Sequence, residues 1–216
     1  MKKLKLRRVA VLALVVVMAI SGVIELKAST GNQVFLYGLH SQNQIDHGYH
    51  CTWMKRVGNL YQKYDSSAVV TKRHHSGAKN LYENMKKANY MMILTHGSKT
   101  SISGYSSNGT VNSLTINEIL QGPRLSRLKV CLLTACTSYK VAETINDMGA
   151  RTAIGFTKTI YSNAANEMQT YFNKYYLLGE KVVDAVFHAY KASLKHLGAG
   201  KGAESYVIYG DIYQTF

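Results

Sequence analysis

The chain of 216 residues carries 26 Lys and Arg against 12 Asp and Glu, a net charge of +14, with 46% hydrophobic residues. That apolar share excludes a wholly disordered chain, and only three cysteines exclude a dense disulfide framework. The basic residues are scattered and accompany no nucleic-acid-binding motif, so they are read as solubility and attraction to anionic cell-wall or membrane surfaces rather than to nucleic acid.

The first segment reads as an address. Lys2, Lys3, Lys5, Arg7 and Arg8 precede an unbroken apolar run, Val9 to Ile20, followed by small residues at Ser21 and Ala28. This is a secretory signal pattern over residues 1–28, with cleavage after Ser21 or Ala28, and an uncleaved anchor is the alternative. The run is short for a full span of about 20 residues. The expected product is a single domain over residues 29–216, secreted or held at the cell surface.

In chain order, apolar runs alternate with helical periodicity. Val34–Leu39 is a first strand, and a polar loop holding His40, Asp46 and His47 follows. A helix over Tyr49–Tyr64 places Trp53, Val57, Leu60 and Tyr64 on one stripe. Ala68–Thr71 is a second strand, Ala78–Ala88 a second helix, and Tyr90–Thr95 a third strand. The polar stretch 98–112 contains Asn108-Gly109, a hairpin signal. Thr115 and Glu118 have capping-box spacing for a short helix to Leu120. Val130–Thr134 is a fourth strand, then a helix from Ser138 to Met148, and a strand over Thr152–Phe156. Two long helices, one capped by Ser162 and running to Leu178 and one from Glu180 to Leu197, lead to a last strand, Tyr206–Tyr209. Such alternation predicts an α/β domain, a parallel sheet with helices on both faces.

Two of these strands end in chemistry-bearing residues. The third runs into His96-Gly97 and the fourth into Ala135-Cys136, 40 residues later. The carboxyl edge of a parallel sheet is where ligands bind. A cysteine nucleophile needs a base to take its proton and backbone N–H groups aimed at the oxyanion. Cys136 at a turn into a helix, and Gly97 with no side chain to block approach, fit those needs. Cys131 lies inside an apolar run and reads as a buried small hydrophobe.

The ordered pair of strand ends, His-Gly and then Ala-Cys, resembles the caspase-like cysteine peptidases: caspases, metacaspases, clostripain, gingipains, separase and the bacterial CHAT domains. Gly149–Phe156, Ala164-Ala165, Phe172, Leu177-Leu178-Gly179, Val182–Val186 and Tyr209-Gly210-Asp211 are similar to the CHAT pattern in particular. The resemblance covers residues 34–211 and implies a three-layer α/β/α sandwich around a mostly parallel sheet of about six strands. It implies a cysteine endopeptidase acting on polypeptides without a cofactor. His96 is the implied general base and acid, Cys136 the nucleophile, and the N–H groups of Gly97 and Cys136 the oxyanion hole. Metacaspases and clostripain carry a pocket acid two residues before the cysteine, where this chain has Thr134. Asp46 is the stand-in candidate for binding a basic substrate side chain.

Competing readings remain at this level. His40, His47, His50 and Cys51 are close in sequence but match no metal-site spacing. A catalytically inactive secreted binding module on the same fold is the alternative to an enzyme. Oligomeric state is left open by the sequence.

Overall fold

The computed structural model describes residues 31–39, 52–74, 78–105 and 109–216. The signal segment 1–28, Asp46, and the group His40, His47, His50 and Cys51 lie outside the described residues.

Six strands form the main sheet: β1 (Gln33–Gly38), β2 (Val69–Arg73), β3 (Tyr90–Leu94), β7 (Val130–Thr134), β8 (Thr152–Phe156) and β9 (Tyr206–Gly210), in the order β2-β1-β3-β7-β8-β9. All neighbours pair in parallel except β8 and β9. The sequences of β3, β7 and β8 are almost wholly apolar because both faces of those strands are covered.

One face packs on α1 (Thr52–Tyr64), α5 (Ser162–Leu177) and α6 (Val182–Leu197). Trp53, Val57 and Tyr61 are the inward stripe of α1, and Met168, Phe172 and Tyr176 that of α5. Leu132, Leu94 and Phe156 meet them from the sheet. Each large side chain fully buried here contributes roughly 1.5–3 kcal/mol from area removed from water. The other face carries α2 (Ala78–Met85), α3 (Ile116–Leu120) and α4 (Tyr139–Asp147), packed on Met91, Ile93, Cys131 and Leu133. The result is the expected three-layer α/β/α sandwich.

A small antiparallel sheet, β4 (His96–Gly97), β5 (Ser101–Tyr105) and β6 (Val111–Thr115), grows from the end of β3. Ile102 and Leu114 face inward, and the Ser103 and Ser113 hydroxyls meet at 2.9 Å. Thr115 caps α3 as its spacing predicts: its hydroxyl accepts from Glu118 N–H, and Glu118 accepts from Thr115 N–H at 2.8 Å.

Three features depart from the sequence expectations. The last strand is antiparallel, because two helices rather than one separate it from β8. The chain traverses one face of the sheet twice, through α5 and then α6, and returns to the end where β8 stopped, pairing Tyr206 with Phe156. Next, α6 starts at Val182, not Glu180, because the chain beyond β9 supplies its cap. Val182 N–H donates to Gln214 O at 2.9 Å and Val183 N–H to Ile212 O at 3.0 Å, satisfying donors that a helix start leaves orphaned. Finally, the N-cap of α5 is Tyr161 rather than Ser162, and it makes no side-chain cap.

Candidate active site

β3 and β7 are hydrogen-bonded neighbours, with Leu94 opposite Thr134 and Thr95 N–H donating to Thr134 O at 3.3 Å. His96 and Cys136 each follow two residues beyond that last pair. Gly97 lies against the cysteine turn. A Cβ at Gly97 would come within 2.8 Å of Ala135 Cβ and 2.9 Å of Cys136 O, so only glycine allows this approach. His96 is exposed, pairs in β4 with Ser103 of β5, and sets its ring edge-on to Tyr105 at 5.9 Å. The Thr95 hydroxyl, bonded to Ser103 O, ties the hairpin to the end of β3.

The cysteine turn is held from several sides. Cys136 is half-buried, and its thiol donates to Ile160 O at 3.8 Å. Thr137 has φ 47°, the sole non-glycine residue with positive φ among the described residues, and its N–H donates to Lys158 O at 3.1 Å. A β-branched residue in that region stores strain of about 1–3 kcal/mol, sustained by surrounding contacts. Ser138 is fully buried beneath the turn. Its hydroxyl lies 2.8 Å from Ala135 O and 3.2 Å from Leu133 O and accepts from Phe156 N–H at 3.2 Å. α4 begins only at Tyr139. The thiol therefore sits ahead of the helix's first turn, within which the helix field is concentrated, and the hydroxyl of Ser138 pins the turn instead of capping the helix.

Below the strand ends lies a residue that sequence reasoning passed over. Gln169 of α5 is fully buried, with Nε2 at 3.0 Å from Ile93 O, 3.3 Å from Leu132 O and 3.0 Å from Thr134 Oγ1. Thr134 in turn donates to Ile93 O at 3.0 Å. Thr134, two residues before Cys136, is thus a neutral hydroxyl already engaged on both sides. The available signal was a polar pair, Gln169 and Asn173, spaced i, i+4 on the apolar face of a helix.

Cys131, His188 and His196 are otherwise engaged. Burial pushes the Cys131 thiol up to about 12, as expected of a core cysteine. His188 and His196 each meet a carboxylate, Glu180 at 2.8 Å and Glu167 at 2.6 Å. Among the described residues, no three His, Cys, Asp or Glu side chains are grouped to hold a metal ion.

No protein-family model and no curated protein matches this chain. Solved structures do. The complex of Porphyromonas gingivalis RgpB pro- and mature domains aligns with TM-score 0.62 at 13% identity, over 87% of this chain and 49% of that one. The Arg-specific cysteine proteinase gingipain R aligns with TM-score 0.58 at 14% identity, over 85% and 47%. Separase from the Saccharomyces cerevisiae separase–securin complex aligns with TM-score 0.56 at 14% identity, over 85% and 12%. The fold is caspase-like. The chain spans about half the length of the gingipain chains and 12% of the separase chain.

Proposed function

We propose that the chain is a cysteine endopeptidase working through His96 and Cys136. The observation that carries this is the seating of Gly97 against Cys136, which joins the two strand ends on a caspase-like fold. The Cys136 thiolate attacks the scissile carbonyl carbon while His96 takes the thiol proton. Backbone N–H groups of Gly97 and Cys136 receive the developing oxyanion. Collapse of the tetrahedral intermediate breaks the C–N bond, and His96 delivers its proton to the leaving amine. Water, deprotonated by His96, then releases the acyl group from sulfur. With residues 1–28 read as an export signal, the substrate is a polypeptide outside the cytoplasm.

The test is a mixed peptide pool. Cys136→Ala is expected to abolish cleavage, and His96→Ala to lower kcat/KM by about 100-fold or more. Iodoacetamide is expected to alkylate Cys136 and stop turnover together. Cleavage that survives Cys136→Ala would refute the assignment. An intact fold binding peptides without cutting them would favour the inactive binding module.

A further inference from the structure

The loop after β8 runs beside the thiol. Ile160 O accepts from Cys136 Sγ at 3.8 Å, and two residues earlier Lys158 O accepts from Thr137 N–H at 3.1 Å. A second strip, residues 198–202, is pressed onto this loop. Tyr161 N–H donates to Lys201 O at 3.0 Å. Gly202, at φ 86°, touches the loop so closely that a Cβ there would strike Thr159 O and come within 2.8 Å of Ile160 Cα. Two backbone segments are thereby locked at the rim of the candidate site.

The side chains they present share one chemistry. Lys158 is exposed. Tyr161 is 54% exposed, and Lys201 Nζ stands 5.1 Å from the centre of its ring. Neither lysine pairs with a carboxylate among the described residues, whereas Lys86, Lys140 and Arg151 all do. The acid of this stretch, Glu204, lies past Gly202, next to Ser205, which bonds Thr157. On the β7 side, Thr134 is neutral and engaged. The described rim thus offers two unneutralised cations and an aromatic face.

We infer that this rim selects polypeptides with an Asp or Glu within a residue or two of the scissile bond. The carboxylate binds between Lys158 and Lys201, and its methylene groups lie on the Tyr161 ring. The inference rests on the peptidase reading and assigns its substrate class, opposite in charge to an Arg-specific enzyme.

The experiment uses the full chain and peptides identical except for Glu, Gln or Lys beside the scissile bond. The Glu peptide is expected to exceed the Gln peptide about tenfold in kcat/KM, with Lys slowest. The ratio should shrink toward one at about 1 M salt, where screening reaches a few ångströms. The double substitution Lys158→Gln and Lys201→Gln should erase the ratio, and the Arg pair should keep it, with circular dichroism checking the fold. Cys136-dependent cleavage with equal Glu and Gln rates, or with Lys preferred, overturns the inference and leaves the peptidase reading standing. No Cys136-dependent cleavage of any peptide overturns both.

Discussion

At the scale of single residues, the site depends on two positions that tolerate little. Gly97→Ala places a methyl against Ala135 Cβ and Cys136 O. Forcing that overlap should cost about 1–3 kcal/mol in urea unfolding and reduce turnover through displacement of the cysteine turn. Thr137→Gly acts in the opposite direction on stability. It removes the left-handed penalty of about 1–2 kcal/mol and adds back roughly 0.5–1 kcal/mol of chain entropy. A small gain in thermal midpoint is expected, with slower turnover from a looser turn; a lower midpoint would contradict the strain at φ 47°. The placing of His96 and Cys136 just past two strand ends was legible in the sequence because each follows an apolar run. Thr137 was not, since nothing about a threonine announces a left-handed backbone. That conformation is imposed by Lys158 O, 21 residues away in the chain.

Between elements, Gln169 is the fastener. One amide group from α5 reaches carbonyls of both β3 and β7 and the Thr134 hydroxyl, directly beneath the two strand ends. Gln169→Leu removes a buried donor from three acceptors and should destabilise the fold by about 1–3 kcal/mol, read as a lower urea midpoint with unchanged slope. The contact joins residues 76 apart, a distance over which spacing and propensity carry no information. The same limit explains the other departures. Strand composition revealed a strand over Tyr206–Tyr209, but its direction follows from the pair of helices before it. The start of α6 is set by Gln214 O and Ile212 O, which reach it only after the chain has folded back. Local signals sufficed where the partner was also local, as in the Thr115–Glu118 box.

For the molecule as a whole, the alternation of apolar strands and amphipathic helices was enough to predict the sandwich, since the central strands β3, β7 and β8 must bury two faces. Its acid limit is set in part at the turn into β2. Asp65 accepts from Ser67 N–H, Ser67 Oγ and Asn32 Nδ2 at 3.1, 2.6 and 2.8 Å. Burial works to raise its pKa, but the bonds from Ser67 and Asn32 outweigh it and hold the carboxyl below its ordinary value. The unfolded chain therefore binds this proton more tightly than the folded one. Its contribution is complete above the ordinary Asp range and drains away as pH falls below about 4. Asp65→Asn should lower the urea midpoint at neutral pH, with the gap to wild type closing toward pH 3; a gap independent of pH would contradict this. The molecule also supplies the means to follow such experiments. Its one tryptophan, Trp53, is buried between α1 and the sheet, in the same layer as α5. Selective excitation of that indole reports the opening of this layer alone. A red shift of its emission that coincides with loss of turnover would mean that the layer carrying Gln169 and the reactive edge fail as one cooperative unit.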